Sequence, residues 1–285
     1  MTKAQRAKRG GPPTTKVISA SRRVDMVAGY PDELAAILQS RFSPDEVHTV
    51  VIWTKNGANL LLHATLRKAL LRFEQLYVHY SITGMGGTFL EPGIPPAQEA
   101  LAHLPGVIEL TRSPERVRLR FDPIVHLRLP DGQRYTNLPH FAEIAAACAA
   151  LGVRDVSTSW LQVYRKVANR LGRAGIEPEE PSAEAWAEEA RQVLEVAARF
   201  GLRVHGCCVP GWPPSRCIDG FLLTRLHPRG LACSTRRATG QRPLCGCTES
   251  IDIGWYKSCV GGCLYCYANP KPIGTEKAAL PLILP

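Results

Sequence analysis

The stretch HTVVIWTKNGANLLLHATLRKALLRFEQLYVHYSIT, His48–Thr83, holds one strand–helix–strand unit. His48–Thr54 is apolar and β-branched and reads as a strand. Gly57–Phe73 carries its apolar residues at helical spacing, and Leu76–Thr83 reads as the next strand. Two strands joined by a helix imply parallel neighbours, because a parallel crossover needs an intervening segment.

The same alternation extends both ways. Upstream, Lys16–Ser21 (KVISAS) is a short strand, and Pro31 opens a helix in PDELAAIL. Downstream, Val117–Leu127, Asp155–Trp160 and Leu202–Val209 read as strands. The helical stretches PPAQEALAHL, FAEIAAACAAL, LQVYRKVANRL and Ala183–Phe200 lie between them. About six βα units predict an α/β fold, a complete or partial TIM-like barrel of about six parallel strands. A doubly wound open sheet is the alternative, and either fold puts its site at the C-terminal strand ends. The predicted organisation is a disordered basic tail at 1–15, a barrel domain at 16–209 and a cysteine-rich segment at 210–285 packed on the barrel mouth.

The chain has 285 residues, 45 % of them hydrophobic, which suits a sizeable buried core. No apolar run approaches the ~18–20 residues of a membrane span. The basic N-terminus lacks the apolar stretch of a secretory signal. A cytoplasmic location without membrane contact is therefore expected, and in that reducing setting ten cysteines point to metal or catalysis. The net charge is +10, with five basic residues in the first sixteen positions. The remaining excess is diffuse, which favours an ordinary basic enzyme over a nucleic-acid or phosphorylated partner.

The densest chemistry lies in SCVGGCLYCYANP, Ser258–Pro270. Cys259, Cys263 and Cys266 form a C-x-x-x-C-x-x-C array. Structural zinc wants four ligands and a cubane iron–sulfur cluster is normally held by four thiolates. Three thiolates would leave one iron open. A second constellation comprises Cys207, Cys208, Cys217, Cys233, Cys245 and Cys247. Cys245 and Cys247, with Cys217 and either Cys207 or Cys208, could make a set of four. A second 4Fe-4S cluster, a zinc ion and plain buried thiols are the three readings. Cys148, in an alanine-rich helix, reads as core packing, and Cys233 fits no motif.

The triple-cysteine array with Tyr265 just before its last cysteine resembles the signature of the radical S-adenosylmethionine superfamily. Most of that superfamily carries the motif near the N-terminus, whereas here it follows the strands. In this the chain more closely resembles a bacterial and archaeal family of unknown function with a C-terminal cluster. The matching stretches are ISASRRVD (Ile18–Asp25), WTKN (Trp53–Asn56), RFDPI (Arg120–Ile124), CIDG (Cys217–Gly220), QRPLCGC (Gln241–Cys247) and Ser250–Asn269. The resemblance implies a 4Fe-4S cluster on Cys259, Cys263 and Cys266. It also implies S-adenosylmethionine on the open iron, and a reductant such as flavodoxin or ferredoxin.

Polar residues at strand ends are candidates for holding that cofactor: Arg22, Arg23 and Asp25 after the first strand, Thr54 and Lys55 after the second. An arginine there could grip a carboxylate through two parallel hydrogen bonds, and a salt-bridged loop is the plainer alternative. Arg120 and Asp122, two apart on a strand, face one side and could pair or touch the ribose. A similar segment occurs in spore-photoproduct-lyase-like enzymes. The resemblance adds Tyr265 and Asn269. The loop ITGMGG, the group Ser157, Ser159, Gln162 and Tyr164, and His205 are weaker candidates. The expected function is a radical S-adenosylmethionine enzyme of unknown substrate. The alternatives are an electron-transfer or structural iron–sulfur protein, or a zinc-stabilised nucleic-acid-binding module.

Overall fold

The structure, a computed structural model, describes residues 15–256 and 258–268. The expected tail, apart from Thr15, lies outside the described residues. The strands are β1 (Lys16–Ala20), β2 (Val47–Thr54), β3 (Leu76–Ser81), β4 (Val117–Ile124), β5 (His126–Arg128), β6 (Arg134–Thr136), β7 (Asp155–Trp160), β8 (Glu177–Pro178), β9 (Arg203–Gly206) and β10 (Ile251–Asp252). The helices are α1 (Met26–Gly29), α2 (Pro31–Arg41), α3 (Ala58–Leu62), α4 (Ala64–Leu70), α5 (Ala97–Thr111), α6 (Phe141–Ala150), α7 (Arg165–Arg173), α8 (Ala183–Arg199) and α9 (Gly220–Leu226).

The protein is a mixed α/β fold built on a seven-stranded parallel sheet in the order β10-β1-β2-β3-β4-β7-β9. The expected complete barrel is not formed, because β9 and β10 are both edge strands. Among the described residues, the chain beyond β9 adds only α9 and one more strand of the sheet. It returns as β10, two residues paired to β1, too short to bridge the edges. The strand order also lacks the reversal of a doubly wound sheet.

Alternation along each strand sorts its residues between two faces. Ile18, Ile52, Val78, Leu119, Phe121, Val156 and Val204 face the helices and are buried with Leu34, Leu38, Leu66, Leu104, Ile144 and Val193. Each such side chain contributes on the order of 2 kcal/mol by leaving water. Val17, Val51, Trp53 and Tyr77 face the other way, and there the covering layer is the cysteine-rich segment through Cys217, Ile218, Leu223 and Cys247. This second face also buries Ser19, Thr49, His79, Arg118 and Ser157.

Local chemistry explains two departures from the expected elements. The single helix expected over Gly57–Phe73 breaks at His63. That residue is extended, and its Nδ1 accepts the Leu66 N–H at 3.3 Å to cap α4. The long strand expected over Val117–Leu127 ends at Ile124. Buried Asn137 takes the Val125 N–H at 2.9 Å and donates to the carbonyls of Thr83 and Pro123. These bonds replace the ladder, and β5 turns away to join β6 and β8 in an antiparallel sheet.

Candidate functional site

The C-terminal ends of the strands open into a cavity of about 620 Å³. Its walls include Arg22, Arg23 and Asp25 after β1, Thr54 and Lys55 at the end of β2, and Arg120 and Asp122 on β4. Cys207 just past β9 lines it as well, and the cysteine-rich segment supplies Cys217, Cys245, Cys247, Cys259, Cys263, Tyr265 and Cys266. Asn269 lies outside the described residues.

The three-cysteine loop is laid against the segment Met85–Ile94. Gly93 donates to the Gly261 carbonyl at 3.2 Å, and Leu264 donates to the Leu90 carbonyl at 3.0 Å. Gly93 must be glycine here, since a Cβ would sit 1.8 Å from the Val260 carbonyl oxygen. The expected glycine-rich turn ITGMGG opens this same cradle. From α7, Arg170 Nε donates to the Leu264 carbonyl at 3.0 Å, and its Nη2 reaches that of Cys266. Backbone N–H groups of Asp25 and Gly261 bond to the Cys259 sulfur. The Ala268 N–H reaches the Cys266 sulfur at 3.3 Å. Burial pushes all three thiols up, Cys263 most strongly, with the Glu91 carboxylate adding to its shift. Three such thiols ionise together only if a cation compensates them, which suits a thiophilic metal centre.

Glu91 was not singled out by the sequence. It is 1 % exposed and organises the loop. Its Oε1 accepts from Lys55 Nζ at 2.8 Å, from the Thr83 hydroxyl at 2.8 Å and from the Tyr265 hydroxyl. Burial alone would lower the Lys55 pKa, but Glu91 and then Cys263 hold it above the ordinary lysine value. The only sequence signal for Glu91 is an acidic residue in the loop leaving a strand whose neighbour ends in lysine.

The other strand-end residues are largely engaged with each other. Asp25 caps α1 through the Ala28 N–H at 2.9 Å. It also accepts from the Thr54 hydroxyl at 2.9 Å and the Lys55 N–H at 2.8 Å. Asp25 and Thr54 thus tie the ends of β1 and β2 together. Arg22 and Arg23 both lean on Asp252 of β10, at 3.8 and 3.9 Å. Arg120 pairs with Asp122, which also accepts from Ser159. Its guanidinium lies 5.2 Å from the centre of the Trp53 ring, an aromatic floor that sequence reading did not select. Burial works against the Arg120 charge, but Asp122 and then Cys217 raise its pKa.

In the second cysteine set, Cys217 and Cys247 are buried in one cluster, and Cys207 and Cys245 pack against it. The neighbouring thiols of Cys207 and Cys247 hold Cys217 well below the usual thiol value against its burial. The Cys247 thiol brings Cys245 down to about 6. Cys207, not Cys208, lines the cavity. Cys233 packs near α9, and Cys148 is buried in α6, its thiol pushed up to about 12 by burial. His205 pairs with Asp155 at 3.2 Å, and Ser157 bonds to Ser215. Gln162 accepts from Tyr164 and Arg242, each at 3.0 Å. Among the described residues, no three His, Cys, Asp or Glu side chains already converge at the spacing of ligands to one ion. No helix among them is long and apolar enough to cross a membrane.

Fold and site together define an α/β protein with a cysteine-lined cavity at the ends of a parallel sheet. The chain belongs to the family described as a domain of unknown function, DUF1848, matched over residues 30–268. No curated protein matches it. Among solved structures it is similar to a variant of a glycoside hydrolase family 97 enzyme from Pseudoalteromonas sp. strain K8. The identity is 12 % and the TM-score 0.31, with 76 % of this chain and 28 % of that enzyme covered. The chain thus spans under a third of that enzyme, and the likeness carries no argument about function.

Proposed function

We propose that this protein is a radical S-adenosylmethionine enzyme built on an incomplete barrel. One observation carries the reading. The three sulfur-bearing residues of the C-x-x-x-C-x-x-C loop line the same cavity as the charged strand ends. The donor set fits a cluster with one open iron, since one buried and two partly buried thiols face one cavity and backbone N–H groups approach the Cys259 and Cys266 sulfurs. Cys259, Cys263 and Cys266 would hold a four-iron cluster, which, given one electron by a reductant such as flavodoxin or ferredoxin, would supply the cleavage of S-adenosylmethionine to methionine and a hydrogen-abstracting 5′-deoxyadenosyl radical.

The chain's own residues bind, orient and enclose. Lys55 and Glu91 neutralise each other beside Cys263 and fix the Tyr265 hydroxyl. Arg120, held by Asp122 and stacked on Trp53, is a fixed positive wall rather than a free carboxylate clamp. Arg23, half-exposed over the Tyr256 ring, remains at the rim to meet an anionic group. A cavity of about 620 Å³ lies within the range of small-molecule sites.

The test is anaerobic reconstitution with iron and sulfide, then addition of dithionite and S-adenosylmethionine. Brown protein forming 5′-deoxyadenosine is expected. Colourless protein with stoichiometric zinc would sink the reading. Iron without nucleoside product, and without a change in the cluster's EPR on adding S-adenosylmethionine, would instead indicate electron transfer.

A further inference from the structure

Four thiols of the cavity have no part in the reading above. They come from three places in the chain: Cys207 just past β9, Cys217 ahead of α9, and Cys245 with Cys247 ahead of β10. All four are free, and all four line the cavity. They pack in one cluster, Cys217 and Cys247 buried within it and Cys207 and Cys245 against it. Free buried thiols normally scatter through a core as small hydrophobes, as Cys148 does. A cluster gathered from three segments needs another cause.

Donors aimed at the sulfurs point to that cause. Arg120 Nη1 lies 3.2 Å from Cys217 Sγ, and Arg242 Nη2 lies 3.2 Å from Cys207 Sγ. The Ser215 hydroxyl is 3.4 Å from Cys217 Sγ. Backbone N–H groups of Cys247 and Ile218 reach the sulfurs of Cys245 and Cys247. Charged and backbone donors around sulfur suit thiolates, and four thiolates held together need a metal's positive charge.

The segment itself supplies an independent reason. Between β9 and β10 it carries one regular element, the seven-residue α9, yet it covers a face of the sheet. Ordering so irregular a stretch costs conformational entropy at every residue. A metal bound to side chains from three points closes its loops and couples binding to folding.

We infer that Cys207, Cys217, Cys245 and Cys247 form a second metal centre in this cavity. It is a four-thiolate site for a thiophilic metal, either an iron–sulfur cluster or zinc. Unlike the three-cysteine loop it has a full ligand set and leaves no position open. The inference does not depend on S-adenosylmethionine chemistry.

The experiment removes the first loop from the full chain with C259A, C263A and C266A together. This triple variant is reconstituted anaerobically, in parallel, with iron plus sulfide and with zinc. Retention after desalting of about four iron or about one zinc per chain is expected. Retained iron identifies a cluster and retained zinc a single ion; metal-free protein overturns the inference. Adding C217S and C247S should abolish the retained metal. Metal retained in this five-cysteine variant would equally overturn the assignment. The triple variant by itself still decides the matter if the second variant fails to fold.

Discussion

The two cysteine sets are built in opposite ways. Cys259, Cys263 and Cys266 are neighbours in sequence. Their loop is set by local glycines and by a buried ion pair brought in from β2 and the segment after β3. Cys207, Cys217, Cys245 and Cys247 are brought together only when an irregular segment folds across the sheet. The first arrangement rests on a preformed cradle. The second brings its own thiols and depends on what they bind. Disturbing the loop should therefore remove chemistry, while disturbing the segment should remove order.

The largest effect should come from Cys263→Ala. This residue is the buried centre of the loop, and its side chain packs with Met85, Leu90 and Ile94. Formation of 5′-deoxyadenosine should fall by more than about 100-fold, beyond what loss of an outer partner of a metal ligand costs. Metal at the second set should remain. Retained nucleoside formation in this variant would refute the ligand assignment.

Next in size is the cradle. Glu91→Gln leaves the partly buried Lys55 ammonium without its carboxylate. Breaking such a pair from one side costs about 3–5 kcal/mol. Urea unfolding should show a loss of this order, and Lys55→Met in the same chain should recover most of it. If the single and double variants unfold alike, the pair does not hold the loop.

These contrasts also explain what the sequence made legible. The three-cysteine spacing is local, so its reading needed no fold. The strand–helix alternation was equally readable, because short apolar, β-branched runs such as His48–Thr54 alternate with stretches of helical spacing. Closure was not readable. Whether a last strand joins the first depends on how residues 207–250 spend their length, and they cover a face rather than add a strand. The sequence left open whether Arg22 and Arg23 grip a ligand or a salt bridge, because Asp252, their partner, lies over two hundred residues away. Glu91 was hidden for a similar reason. Its meaning comes from Lys55 and Tyr265, which approach it from both directions along the chain.

A smaller effect tests how the irregular segment is anchored at the opposite end of the sheet. His227, after α9, packs against His48 of β2 with ring centres 4.4 Å apart. Glu74, Arg229 and Arg116 are the other charged groups facing it. Burial, then the charge of His48, pushes His227 down to about 4. His48 is lowered too, chiefly by burial. In the unfolded chain a histidine takes up its proton near pH 6.5. The unfolded state therefore binds more protons between about 6.5 and 4. The stabilisation is complete above about 6.5 and is lost as pH falls toward 4, on the order of 2–3 kcal/mol for this histidine. Urea unfolding at pH 7 and pH 5 should show the loss, and His227→Gln should flatten it. An unchanged slope would mean that His227 does not anchor the segment.

The smallest effect belongs to Cys148, the reference against which both sets are measured. It is buried in α6 among Phe141, Ile144 and Val153, away from the cavity residues. Cys148→Ala deletes one sulfur from a packed core and should cost about 1 kcal/mol, as removal of a methyl-sized group does. Metal content and nucleoside formation should be unchanged. The same deletion at Cys217 or Cys263 removes a similar volume but should take metal with it. What separates the three positions is therefore the surroundings: burial alone shifts the Cys148 thiol, whereas further thiols and charged groups act on the other two. Loss of metal from Cys148→Ala would break that distinction and reopen the assignment of both sets.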